Sequence, residues 1–115
     1  LYACIESEIE IQPGDRKLIN TGIQISIPSC CYARIAPRSG LAVKGIDISA
    51  GVVDSDFTGC IQVLVVNNSK NVFTVKHGDR IAQMILETII NPVFVETEVL
   101  DATDRGDKGF GSTGV

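Results

Sequence analysis

Ile19, Ile23, Ile25 and Ile27 fall on one parity of the chain, while Asn20, Gln24 and Ser26 take the other. Apolar residues that recur every second position share a face only in extended backbone, where successive side chains point to opposite sides. The same alternation returns along the chain. Ile9 and Ile11 alternate with Glu8, Glu10 and Gln12 before a Pro13-Gly14-Asp15 turn, Cys31 to Ala36 is a short strand closed by Pro37, and Ile46 and Ile48 alternate with Asp47 and Ser49. Ile61 to Val66 is apolar on both faces, which predicts a central strand. Asn67 to Asn71 turns the chain into Val72 to Val75, and Lys76-His77-Gly78-Asp79 turns it again. Ile81 to Ile90 reads as a long buried strand, and Val93, Val95, Thr97 and Val99 alternate with Phe94, Glu96 and Glu98. Only Ser39 to Lys44 suits a helical turn, with Ser39 as its cap and Gly45 as its exit. Short strands at this spacing, without an amphipathic helix of useful length, predict an all-β barrel or sandwich.

With 115 residues the strands make one domain. A net charge of −4, one His and no Lys/Arg run argue against a counterion-releasing nucleic-acid surface, so any anion must be gripped locally. Cys4, Cys30, Cys31 and Cys60 lack CxxC spacing and read as reduced thiols of an intracellular protein; the adjacent pair does not bridge easily. No apolar run reaches the roughly 18 residues of a membrane span, so no membrane partner is expected. After Leu100 the alternation stops. Residues 101–115 hold Gly106, Gly109, Gly111 and Gly114 with Phe110 almost alone among apolar residues, which predicts an arm that stays mobile until another surface orders it, distinct from a barrel over residues 1–100.

Three stretches bear chemistry. Gly51-Val52-Val53-Asp54-Ser55-Asp56-Phe57-Thr58-Gly59 reads as a β-hairpin whose tip displays a ring and two carboxylates. Pro37-Arg38-Ser39-Gly40 gathers amides, a hydroxyl and a guanidinium where a strand gives way to a helical turn, which suits phosphate oxygens as well as an ordinary capped turn. Arg105 to Gly114 adds glycines, Arg105, Ser112-Thr113 and one ring, without Walker A spacing.

Pro37-Arg38-Ser39-Gly40-Leu41-Ala42, Gly51 to Asp54 with Phe57 and Gly59, Gly78-Asp79-Arg80-Ile81-Ala82-Gln83, and Arg105-Gly106 through Phe110-Gly111-Ser112-Thr113-Gly114 resemble motifs two to five of the homotrimeric dUTPases, in order and in register. The similarity spans essentially the whole chain and is strongest to eukaryotic and large-DNA-virus members. It implies a jelly-roll-like barrel, a homotrimer with shared active sites, and Mg²⁺-dependent hydrolysis of dUTP to dUMP and pyrophosphate, which limits uracil incorporation into DNA. By that resemblance Asp54 orients and deprotonates the water that attacks the α-phosphorus, a task suited to a carboxylate. Gly51, Val53 and Gln62 line the uracil pocket, and Phe57 stands where the family usually has Tyr against the sugar. Arg38, Ser39 and Gly40 cradle phosphates, while Gln83 touches the phosphate and the water shell of a metal that the triphosphate itself holds. Arg105, Gly111, Ser112 and Thr113 take the γ-phosphate, with Phe110 stacked over uracil as the arm closes.

Motif one survives only as Leu1-Tyr2, so its aspartate is not in this sequence. Asp79 and Arg80 are expected to serve a turn and an ion pair, and His77 a turn. Two rivals share the resemblance: a related dCTP deaminase, and a trimer that binds nucleotide without turnover.

Overall fold

The computed structural model describes residues 1–111 and Gly114. The chain runs β1 (Ile9–Ile11), β2 (Arg16–Asn20), β3 (Cys31–Ala36), α1 (Ser39–Ala42), β4 (Ile46–Ser49), β5 (Val52–Val53), β6 (Gln62–Asn67), β7 (Phe73–Val75) and β8 (Gln83–Thr88). Every pairing is antiparallel, in three ribbons ordered β1-β7, β2-β6-β4 and β5-β3-β8. Between them lies one apolar core, in which Ile11, Ile19, Ile61, Val63, Val65, Val75 and Ile81 are at most 1% exposed. Each such side chain contributes about 1.5–3 kcal/mol by leaving water. The all-β expectation and the bounds of β3 and β4 agree with this architecture, which is jelly-roll-like. β6 is central, as its composition implied, with Val63, Val65 and Asn67 inward and Leu64 and Val66 half-buried.

Asn67 and Thr21 are the buried polar residues among those described, and Asn67 has no exposed surface. Its Nδ2 donates to the carbonyls of Ile11 and Asn71, each at 2.8 Å, and its Oδ1 accepts from Ser69 N at 2.9 Å and Ser69 Oγ at 2.7 Å. One side chain thus satisfies four partners and ties β1 to the turn after β6, so its burial costs little.

Several expectations need correcting. β5 and β6 do not form a hairpin: β5 pairs with β3, Val53 opposite Ala33, whereas β6 lies between β2 and β4. The intervening turn exists, but it joins two sheets. β2 stops at Asn20 because Gly22 adopts φ +71°; beyond it Thr21 N donates to Ile61 O at 3.2 Å and Ile23 O accepts from Ile61 N at 2.8 Å, and Ile23 is 40% exposed. β8 is an edge strand and largely exposed rather than buried, since only β3 flanks it. Residues 93–99 form no strand: Val93, Phe94, Val95 and Val99 are at least 80% exposed, with no neighbouring strand to pair with among the described residues. The radius of gyration, 19.0 Å, exceeds the roughly 13 Å of a compact chain this long because these residues leave the body. Ser39 is the first helical residue, not the cap, which falls to Arg38 in extended backbone without a side-chain bond. Asp79 Oδ2 accepts from Lys76 N at 2.8 Å, the turn role expected, but among the described residues the one ion pair is Lys76 with Glu8, and neither Asp79 nor Arg80 forms one.

Candidate active site

Ala50 and Gly51 both adopt positive φ, 56° and 96°, and swing the chain from β4 into β5. Gly51 O accepts from Ile35 N at 2.7 Å, and a Cβ on Gly51 would stand 2.5 Å from Ile35 O. Only glycine lets the two backbones approach this closely. β5 is thereby pressed onto β3, and the turn beyond it opens a cleft of about 280 Å³. Gly51, Val53, Asp54 and Phe57 line one side, Gln62 and Leu64 of β6 another. Asp54 O accepts from Phe57 N at 3.1 Å, and Gln24 Nε2 donates to Thr58 O at 3.0 Å, so the turn is fixed at its base and near its tip. Phe57 is 45% exposed and folds its ring tip over Gly59, where an added Cβ would meet Cζ at 2.8 Å. The cleft is mainly apolar with one exposed carboxylate, Asp54, at its lining.

A second cleft of about 400 Å³ lies where β3 ends and α1 begins, lined by Arg38, Ser39, Gly40, Leu41, Lys44 and Gln83. Arg38 Nη1 donates to Arg80 O at 3.3 Å, and Gln83 Nε2 donates to Pro37 O at 2.8 Å, which locks the segment before β8 against the segment after β3. Two cations and no carboxylate line it, a composition suited to phosphate oxygens.

The structure therefore groups the residues singled out in the sequence into two sets. Gly51, Val53, Asp54, Phe57 and Gln62 share the first cleft, Arg38, Ser39, Gly40 and Gln83 the second, and no residue lines both. Arg105, Phe110 and Gly111 line neither: Arg105 Nε donates to Lys108 O at 2.7 Å, and the Phe110 ring is fully exposed. Ser112 and Thr113 lie outside the described residues. Sequence reasoning missed Lys44 in the cationic cleft, as well as Leu18 and Ile48 in the apolar one. The helical turn was the available signal for Lys44, since it brings a cation five residues past Ser39 back toward Arg38. Among the described residues no three His, Cys, Asp or Glu side chains converge as a metal cage.

The dUTPase family model matches residues 1–114. The deoxyuridine 5'-triphosphate nucleotidohydrolase of Monkeypox virus is 57% identical over 105 residues, covering 91% of this chain and 70% of that protein. That of Vaccinia virus (strain Copenhagen) is 56% identical over 105 residues, covering 91% and 71%. Among solved structures, a Staphylococcus bacteriophage 80alpha dUTPase variant with dUpNHpp superposes with a TM-score of 0.90 at 22% identity, covering 100% of this chain and 84% of that one. A dUTPase variant from phage phi11 of S. aureus, described as coordinating a structural Mg(II) ion, gives 0.80 at 18% identity, over 89% and 83%. Family model and viral relatives agree over nearly the whole chain: it belongs to the dUTPase family.

Proposed function

We propose that this chain hydrolyses dUTP to dUMP and pyrophosphate, with the nucleoside in the apolar cleft and the triphosphate in the cationic one. The observation that carries this reading is the opposite chemistry of the two clefts: one apolar with a single carboxylate on its turn, the other with two cations and none. Backbone groups of residues 51–53 and Gln62 read the uracil edge, and mispaired polar groups in a narrow slot reject other bases. Phe57 packs on the sugar. Asp54 accepts a proton from the attacking water, while Arg38, Ser39 and Gly40 hold phosphate oxygens and Lys44 adds a second cation for the outer phosphates. Deoxyuridine triphosphate hydrolysis also accords with the names of the viral relatives.

The two clefts share no lining residue, which suits a site built where surfaces of different copies meet. A homotrimer supplies this arrangement, and Arg105, Phe110, Gly111, Ser112 and Thr113 then close over the nucleotide from a third copy as an arm over residues 101–115. The cationic lining does not itself attract Mg²⁺, yet it fits a triphosphate that carries the ion, and the Gln83 amide oxygen can accept from a metal-bound water. Mg²⁺ so held neutralises phosphate charge. The four free thiols and the absence, among the described residues, of a helix long and apolar enough to cross a membrane are compatible with an intracellular enzyme.

Turnover of dUTP against dCTP, dTTP and UTP, with and without Mg²⁺, tests the proposal. Pyrophosphate released from dUTP alone supports it. Ammonia from dCTP would identify a deaminase, and binding without either product a regulatory trimer.

A further inference from the structure

Neighbouring residues of a strand send their side chains to opposite faces, which normally keeps adjacent cysteine sulfurs apart. Cys30 and Cys31 depart from that rule. Cys31 N donates to Pro28 O at 2.9 Å, closing a turn that contains Cys30, and β3 starts only at Cys31. The two sulfurs consequently lie 3.6 Å apart, one on an exposed residue and one on a half-buried residue, both unoxidised. Their backbones are fastened: Ile89 N donates to Cys30 O at 2.8 Å, and Cys31 sits opposite Thr88 in the β3-β8 ladder. Neither thiol lines the apolar or the cationic cleft.

We propose that Cys30 and Cys31 form a chelating dithiol site for a monosubstituted trivalent arsenical, a soft centre that binds two sulfurs and one carbon. A direct S–S bond suits this pair poorly, because Cα atoms joined by a trans peptide are about 3.8 Å apart, below the roughly 4.4–6.8 Å of ordinary disulfides. One interposed atom lengthens the ring and removes that conflict. Sulfurs about 2.3 Å from a shared centre and 3.6 Å from each other subtend roughly 100° there. A linear two-sulfur centre instead needs sulfurs about 4.6 Å apart, twice the metal–sulfur length. Structural zinc needs four ligands, and among the described residues no third His, Cys, Asp or Glu joins the pair. A bent centre whose remaining bond goes to carbon fits what is present, and thiolates select soft centres.

The condensation balances without an oxidant. Two As–S bonds form, the As=O bond of the arsenoxide breaks, and its oxygen leaves as water with the two thiol protons; arsenic stays trivalent. The hydrogen bond to Cys30 pushes the Cys31 thiol up, which keeps its proton in place for that water.

The test treats the folded full chain with phenylarsine oxide and reads intact mass under native conditions. The expected result is one adduct per chain that survives excess glutathione, a monothiol, and is released by dithiothreitol, a dithiol. The Cys4→Ser/Cys60→Ser double variant should retain that adduct. Cys30→Ser should hold it roughly a hundredfold less tightly, the usual advantage of two linked contacts over one, with dUTP turnover retained as a check on folding. Glutathione stripping wild type as readily as Cys30→Ser would overturn the proposal, as would an adduct that maps to Cys4 or Cys60. Because the readout is mass rather than turnover, failure here is distinguishable from failure of the dUTP assignment.

Discussion

Gly51→Ala isolates the backbone contact on which the apolar cleft rests. At φ 96° an L side chain is strained, at a cost of about 1–2 kcal/mol. Its Cβ also meets Ile35 O at 2.5 Å, and relieving such crowding in a packed region costs about 1–3 kcal/mol more. Ile35 cannot retreat freely, since its own N–H takes Gly51 O and it lies opposite Met84 in the β3-β8 ladder. The sum, about 2–5 kcal/mol, is a large part of the roughly 5–15 kcal/mol that holds a domain together. Each kcal/mol moves the melting temperature by about 4–8 °C at about this size, so the variant should melt at least ~8 °C lower. Gly14→Ala is the control: its φ of 85° carries the same conformational penalty, but nothing lies within 4 Å of the added Cβ. Calorimetry at one protein concentration, which fixes any mass-action contribution, should find Gly51→Ala the less stable by about 1–3 kcal/mol, the crowding cost. Equal melting temperatures for the two variants would refute the argument.

Asp54→Asn should lower kcat by about 10²–10⁴, the usual worth of a positioned base, with dUTP affinity nearly unchanged; equal losses of both would make Asp54 a binding residue. Removing residues 104–115 should raise KM and depress kcat, and normal kinetics would exclude a closing arm. Asn67→Ala strips the partners from the buried Ile11 carbonyl, the Asn71 carbonyl and Ser69, so urea unfolding should show a loss of roughly 2–4 kcal/mol; a neutral result would mean that water replaces the side chain. Gly59→Ala displaces the Phe57 ring and should reduce the ratio of kcat/KM for dUTP over UTP, while its melting temperature stays close to wild type because Gly59 has no positive φ.

Much of this was legible in the residues. Cys31–Ala36 and Ile46–Ser49 are bounded by prolines, glycines and a short helical turn, so local chemistry alone defines them. Partners are another matter. Val52-Val53 and the run from Gln62 looked like two arms of one hairpin, but Gly51 presses the first onto β3, a choice set by an approach between residues 16 positions apart. Ile85 and Leu86 are apolar yet exposed because their ribbon ends at β8, and an edge leaves no mark in alternation. Asn67 read as the start of a turn, but it is the last residue of β6, and four hydrogen bonds hold its side chain in the interior. For the site, Asp54 and Arg38 stood out because their neighbours are glycine and proline; Lys44 did not, because only the folded turn returns it to Arg38.

The ribbon bearing Asp54 is tethered at one end to β3 and at the other to β2 and β4, so it bridges two layers packed on a core mainly of isoleucine, valine and alanine. The position of its carboxylate is therefore a gauge of the gap between those layers. With Asp54 as the proposed base, slack introduced anywhere in the hydrocarbon filling would blur the chemistry while the scaffold still stands, and the interior of this protein would belong to its reactive machinery.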